Sequence, residues 1–240
     1  MKKVDFFIVG SMKSGTTSLR SALRPHPGVG MPGREPQFFT VRYANGLDWY
    51  HSLFRRFSKD VLWGEKSPSY GQSDVAARRI HAYNPNARII FTLRNPVRRA
   101  ISHYYHSRGK LQDAARTLEE DLALKEYERN VKNPAGYIYR SQYEKHLALY
   151  ERLFGRDRML VLVLEEVIQH PEHWLNVTQD FLGIERMSIV QWPHSNATSS
   201  GLMTTTPIAP ETVERLRDVL APTISFVEDY LGRPLPAWHH

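Results

Sequence analysis

The order of apolar and polar positions divides the chain into short apolar runs and longer periodic stretches. Val4-Asp5-Phe6-Phe7-Ile8-Val9 predicts a buried strand that runs straight into Gly10. Thr16 to Arg24 has helical spacing, which Pro25 stops. His26 to Arg34, with two prolines and three glycines, reads as loop. The spacing of Trp49, Leu53, Phe54 and Phe57 suggests a short helix with an aromatic face. Val61-Leu62-Trp63 predicts a second strand, ending at Gly64-Glu65-Lys66-Ser67-Pro68, and Asp74 to Tyr83 a helix. Arg88 to Leu93 is the clearest strand, continuous and β-rich as central parallel strands are. Helices are expected after Pro96, from Leu118 to Tyr127, and from Tyr139 to Phe154, where Gly155 ends the pattern. Met159 to Leu164 predicts the last strand, and Pro171 to Leu182 a helix closed by Gly183. Trp192 to Thr206 is polar and without period. A final helix is expected from Glu211 to Leu231, with a break or kink at Pro222.

Strands alternating with helices predict an α/β fold: three layers, α/β/α, around a mostly parallel central sheet. No linker or internal repeat divides the chain, so residues 1–240 are expected to form a single domain. At 240 residues such a domain buries roughly 70% or more of its unfolded surface. The formal charge of +7 suits a polyanionic ligand, but equally a basic protein that binds none. Nucleic acid is not expected as a partner, because the basic residues are spread along the chain without a basic repeat or finger spacing. The absence of cysteine rules out disulfides, zinc knuckles and thiol nucleophiles. No apolar run of about 20 residues occurs, so no membrane span is expected, and a cytoplasmic protein is the default reading.

Candidate chemistry begins where the first strand meets the first helix, at Gly10-Ser11-Met12-Lys13-Ser14-Gly15-Thr16-Thr17. The glycines allow a tight turn that aims backbone N–H groups inward, and the helix adds its positive end, which together suit a phosphate. Lys13 can set a charge over the bound group, and the Thr16 and Thr17 hydroxyls can donate to its oxygens. In the nucleoside triphosphatase loop, G-x-x-x-x-G-K-[ST], the lysine follows the second glycine. Here it precedes Gly15 by two residues, which points to an anion other than magnesium-bound triphosphate. A second anion site is suggested after the strand Arg88–Leu93. Arg94 stands at the carboxyl end of that strand, where open α/β sheets bind ligands. Ser102 follows about two turns into the next helix, and arginine's planar fork suits a phosphate monoester. Arg98 and Arg99 read as a solvated basic helix face.

With both motifs in order, the chain resembles the sulfotransferases that use 3′-phosphoadenosine 5′-phosphosulfate (PAPS), and more closely the heparan sulfate branch and its bacterial relatives. Gly10 to Thr17 is similar to that family's G-x-x-K-[SG]-G-T-[TS] loop. The resemblance makes it a P-loop-like phosphosulfate-binding loop, with Lys13, Ser14, Gly15, Thr16 and Thr17 on the donor. Arg94, Asn95, Pro96, Arg99, Ala100, Ser102 and Tyr104 match the family's 3′-phosphate motif, implying that Arg94 and Ser102 hold that phosphate. Arg34-Glu35-Pro36-Gln37-Phe38-Phe39 looks like K-E-P-x-F-F, whose glutamate is the proposed general base, with Arg34 in place of lysine. Glu65-Lys66-Ser67-Pro68-Ser69-Tyr70 looks like E-K-[ST]-P-x-Y, whose lysine reaches donor and acceptor. The likeness runs from about Val4 to Gly183. Ser199, Ser200 and Gly201 are candidates for the family's donor cover, by position and polarity.

The resemblance implies sulfuryl transfer from PAPS to a hydroxyl of a carbohydrate, lipid or natural product, leaving 3′-phosphoadenosine 5′-phosphate (PAP). Glu35, Lys13 and Lys66 would be the catalytic residues, with no metal required. His26, His103 and His106 are alternative bases, since another branch of the family uses a histidine. Trp49, Tyr50, Tyr70, Tyr104 and Tyr105 could line an acceptor pocket, stack on adenine, or simply pack a core. Two other functions stay open: an ATP-dependent small-molecule kinase with Glu165 holding magnesium, and a noncatalytic nucleotide-binding scaffold.

Overall fold

The computed structural model describes residues 2–111, 116–124, 136–188 and 207–239. Their contacts group into two compact units. One takes in the described residues of Met1–Leu93 and His146–Ser195, the other those of Arg94–Lys145 and Asn196–His240.

The first unit is built on a five-stranded sheet: β1 (Phe6–Gly10), β2 (Val29–Gly30), β3 (Leu62–Lys66), β4 (Arg88–Leu93) and β5 (Met159–Val163). The strands lie in the order β2-β3-β1-β4-β5, and every pair is parallel. All-parallel strands are buried on both faces, which is why every residue from Phe6 to Gly10 and from Ile89 to Leu93 is buried and nearly all are apolar. Alternation sends Phe6, Ile8, Ile90 and Leu162 to one face. There they pack with Leu19, Ala22 and Leu23 of helix α1 (Thr16–Leu23) and with Leu175 and Leu182 further along the chain. On the opposite face the Phe7 and Phe39 rings meet at 5.7 Å, and Phe91 and Tyr150 at 5.1 Å. Each such side chain taken from water is worth about 1.5–3 kcal/mol. Helices α2 (Gly46–Ser52) and α3 (Asp74–Tyr83) follow in the chain.

Two expectations change here. The stretch expected as loop after His26 contains β2, whose two residues pair with Leu62 and Trp63. A strand of two residues between Pro27 and Pro32 has no period to read. Strand β3 also runs on through Glu65 and Lys66, which pair with Phe7 and Ile8. Both side chains are buried, and because their polar atoms are met, the ladder continues where polarity suggested an end.

The second unit is helical: α4 (Pro96–Leu111), α5 (Leu118–Ala123), the first turn of α6 (Tyr143–Phe154) and, after α7 (Leu164–Gln169) and α8 (Pro171–Leu182) of the first unit, α9 (Pro210–Leu231). Val97, Ala100, Tyr104, Tyr105, Leu118, Leu122, Tyr137, Ile138, Leu216 and Leu220 form its core. Thr117 and Glu120 close a capping box on α5, and extended Leu124 ends that helix. The helix expected from Tyr139 is a 3₁₀ turn (Tyr139–Ser141) followed by α6. Arg99 explains the interruption. It is fully buried, donates from Nε to Ser141 Oγ at 2.7 Å, and donates from a terminal nitrogen to the Tyr137 carbonyl. The solvated face expected for Arg98 and Arg99 therefore holds for Arg98 alone. Helix α9 passes Pro222 without a break. Pro222 and Asp218, whose carbonyl loses its amide partner, are both exposed, so that carbonyl is open to solvent instead. Among the described residues no helix is long and apolar enough to cross a membrane.

Candidate active site

The loop from Gly10 to Thr17 joins β1 to α1 at the carboxyl edge of the sheet, anchored by the Ser11 amide on the Thr92 carbonyl at 2.7 Å. Gly15 caps α1 in the left-handed region (φ 84°), and a Cβ there would lie 2.6 Å from the end of the Leu164 side chain, so glycine is favoured on both counts. Lys13 is left-handed too, at φ 71°. Left-handed residues at Lys13 and Gly15, on either side of Ser14, suit a concavity of inward-facing amides of the kind an anion cradle requires. The buried Ser14 Oγ has no hydrogen-bond partner among the described residues. Ser69 Oγ, beyond Pro68, whose carbonyl lies 3.2 Å from where a Cβ on Gly10 would sit, is a second such hydroxyl. Buried hydroxyls without partners are costly in a finished core, whereas the oxygens of a phosphate or sulfate would meet them. The loop thus fits the anion expected of it.

Strand alternation then assembles the chemistry. Lys66 shares a face with Ile8, the side of α1, and its ammonium donates to Thr17 Oγ1 at 2.8 Å and to Glu35 Oε1 at 2.5 Å. Burial pulls the Lys66 pKa down, and the Glu35 carboxylate opposes the shift. Glu35 is 31% exposed, so its carboxylate is held yet open to an incoming group. Its second oxygen accepts from Gln37 Nε2 at 3.3 Å. Lys13, Thr17, Glu35 and Lys66 all belong to the first unit, and the last three are directly bonded.

Glu65 points to the other face and is fully buried. Its carboxylate accepts from Tyr50, from Tyr70 at 2.6 Å and from Ser67 at 2.8 Å. Burial raises its pKa to about 7 against the pull of those three donors. Ser67 Oγ in turn accepts from the Gln37 amide at 2.9 Å, and Tyr70 OH from the Phe39 amide at 3.1 Å. Glu65 thereby ties the Glu35–Phe39 segment to β3. Tyr50 and Tyr70 serve this network, leaving no role for them in an acceptor pocket. Sequence reading missed the anchoring function of Glu65 and Gln37, although alternation along Gly64-Glu65-Lys66 signals that the two charges part.

In the second unit, Arg94 is half-buried and Ser102 is buried on the second turn of α4. Asn95 is the N-cap between them: Oδ1 accepts from the Val97 and Arg98 amides, each at 3.0 Å, and Nδ2 donates to the Trp238 carbonyl at 2.8 Å. Pro96 takes the first helical position, where no amide is missed. Tyr104 and Tyr105 belong to the core. The His103 ring meets Tyr137 edge-on at 4.9 Å. His26, in the first unit, is a staple: Nδ1 accepts from the Gly28 amide at 3.0 Å, and Nε2 donates to the Glu185 carbonyl at 2.8 Å. Ser199, Ser200 and Gly201 lie outside the described residues. Among the described residues no group of three or more histidines and carboxylates is placed to hold a metal.

A strand–loop–helix cradle of a shape that suits an oxyanion, with a lysine–carboxylate pair against its helix, defines the site of this α/β protein. Residues 3–207 match the sulfotransferase domain family, and the chain belongs to it. It is 36% identical over 191 residues to human heparan sulfate glucosamine 3-O-sulfotransferase 6, an alignment covering 80% of this chain and 55% of that one. It is 33% identical over 199 residues to human bifunctional heparan sulfate N-deacetylase/N-sulfotransferase 2, covering 75% of this chain and 22% of that one. The chain thus spans about half the length of the first of these relatives. Its fold superposes on a sulfotransferase of Alicyclobacillus acidocaldarius with a TM-score of 0.82 at 27% identity, over 100% of both chains.

Proposed function

We propose that the protein transfers the sulfuryl group of PAPS to an acceptor hydroxyl. The observation that carries this reading is the bonded set Lys66–Thr17–Glu35 against the Gly10–Thr17 loop. The loop, with Lys13, Ser14, Gly15, Thr16 and Thr17, receives the 5′-phosphosulfate, and Arg94 and Ser102 the 3′-phosphate. The acceptor oxygen attacks sulfur in line while Glu35 takes its proton. The bond from sulfur to the bridging phosphate oxygen breaks, and PAP leaves with the charge. Lys13 stabilises that charge, an effect worth a few kcal/mol when made chiefly in the transition state. Lys66 holds Glu35 toward the acceptor until the proton moves. The heparan sulfate relatives support a sugar hydroxyl as acceptor, while the cradle itself is equally compatible with a lipid or natural-product hydroxyl.

The test is PAP release from PAPS across a panel of sugar, lipid and phenolic acceptors. Glu35→Gln is expected to lower turnover by about 10²–10⁴-fold, the range for a general base, with PAP affinity unchanged. Turnover at the wild-type rate in that variant would remove Glu35 from the mechanism.

A further inference from the structure

Helix α1 carries a cation that the reaction described above does not use. Arg20 lies one turn beyond Thr16 and Thr17 on the same helical face. Its guanidinium is half-buried, and its Nε is buried with no hydrogen-bond partner among the described residues. The charges that act on it are Glu35, which attracts it, and Arg24, which repels it; Lys66 feels it in turn. Yet the Glu35 carboxylate bonds Lys66 and Gln37 instead. Arg24, one turn further, places its guanidinium 3.9 Å from where a side chain at Gly33 would begin, and exposed Arg34 immediately precedes Glu35. None of these three arginines forms an ion pair among the described residues.

A partly desolvated guanidinium without a counter-ion is unfavourable. Burial accordingly pulls its pKa down. An oxyanion supplied by a ligand would reverse that cost, and a carboxylate or sulfate matches the planar fork with two parallel bonds. The donor is not the natural source, because its phosphosulfate belongs at the amino end of α1, whereas the neighbours of Arg20 are Glu35 and the Arg24–Gly33 corner. Resting on the reading of Glu35 as the base, we propose that Arg20 is a specificity-determining residue that binds an anionic group carried by the acceptor beside the hydroxyl to be sulfated. Arg24 and Arg34 extend the same positive field.

The experiment is calorimetric titration of the PAP-saturated protein with D-glucuronate, D-glucose 6-sulfate and uncharged D-glucose. The two charged sugars are expected to bind at least about tenfold more tightly than glucose, the scale of one charge-assisted hydrogen bond. The two also separate a carboxylate from a sulfate preference. Arg20→Gln should abolish the difference while leaving PAP affinity unchanged. Arg20→Lys, which keeps the charge without the fork, should retain part of it and serves if the glutamine variant fails to fold. Equal binding of all three sugars, no binding of any, or a preference that survives in Arg20→Gln would overturn the inference. A loss of PAP affinity in that variant would assign Arg20 to the donor instead. PAP binding to the wild-type protein is read in the same cell, so failure of the sulfotransferase reading itself would be seen separately.

Discussion

Glu65 is buried among hydroxyls rather than beside a cation, and that has a measurable consequence. Tyr50 approaches it from α2, Ser67 and Tyr70 from the turn after β3, while the fields of Tyr83 on α3, Tyr150 on α6 and Glu35 also reach it. Its pKa rises from 4.5 to about 7 on folding, so between those values the folded chain binds the extra proton. The stability this contributes is complete below pH 4.5 and is lost as pH rises through about 7. The stability difference between wild type and Glu65→Gln should therefore shift against the wild type across that window, by at most about 3 kcal/mol. Urea denaturation of both proteins at several pH values checks it, and a difference that stays flat would contradict the assignment. At this scale sequence reading singled out Lys13, Glu35 and Lys66 because they sit in motifs, and the structure bonds Lys66 to Glu35. The same reading passed over Arg20, which has no ion-pair partner among the described residues, and Gln37, whose role depends on Ser67 thirty residues away.

Individual elements start and stop for local chemical reasons, and these can be tested one at a time. The amino end of α4 depends on Asn95, which caps two amides and holds the Trp238 carbonyl. Asn95→Ala should cost about 2 kcal/mol, roughly half from the cap and half from the second bond. Asn95→Asp, which keeps the acceptor and loses the donor, should cost about half as much in the same denaturation assay. Helix α9 offers the opposite case. Pro222 sits on an exposed face of an unbroken helix, so Pro222→Ala should stabilise the protein by about 1–3 kcal/mol. Destabilisation would mean that Pro222 packs in a way its exposure does not suggest. The strands β4 and β5 and the helices α3 and α8 were legible to within a residue, because apolar runs and caps mark them. Strand β2, and the interruption before Gln142, were not. The first is too short to have a period, and the second is imposed by Arg99 from another helix.

For the molecule as a whole, the parallel order β2-β3-β1-β4-β5 places β1 at the centre of its sheet, with the anion loop at its carboxyl end. Alternating strands and helices predicted the parallel sheet and the loop between its first strand and first helix, whereas the central place of β1 depends on a strand order that no local pattern encodes. The formal charge of +7 had two readings from composition alone. Arg20, Arg24 and Arg34, which form no ion pair among the described residues, favour the reading in which part of that charge faces a ligand. The kinase alternative needs a lysine after Gly15, where Thr16 stands, and a magnesium-binding carboxylate. Titrating the purified protein calorimetrically with PAP, 5′-AMP and magnesium ATP tests the central claim most directly. PAP is expected to bind tightly, in a manner that needs the 3′-phosphate and weakens in Arg94→Ala. Failure to bind PAP, or a preference for magnesium ATP, would contradict it.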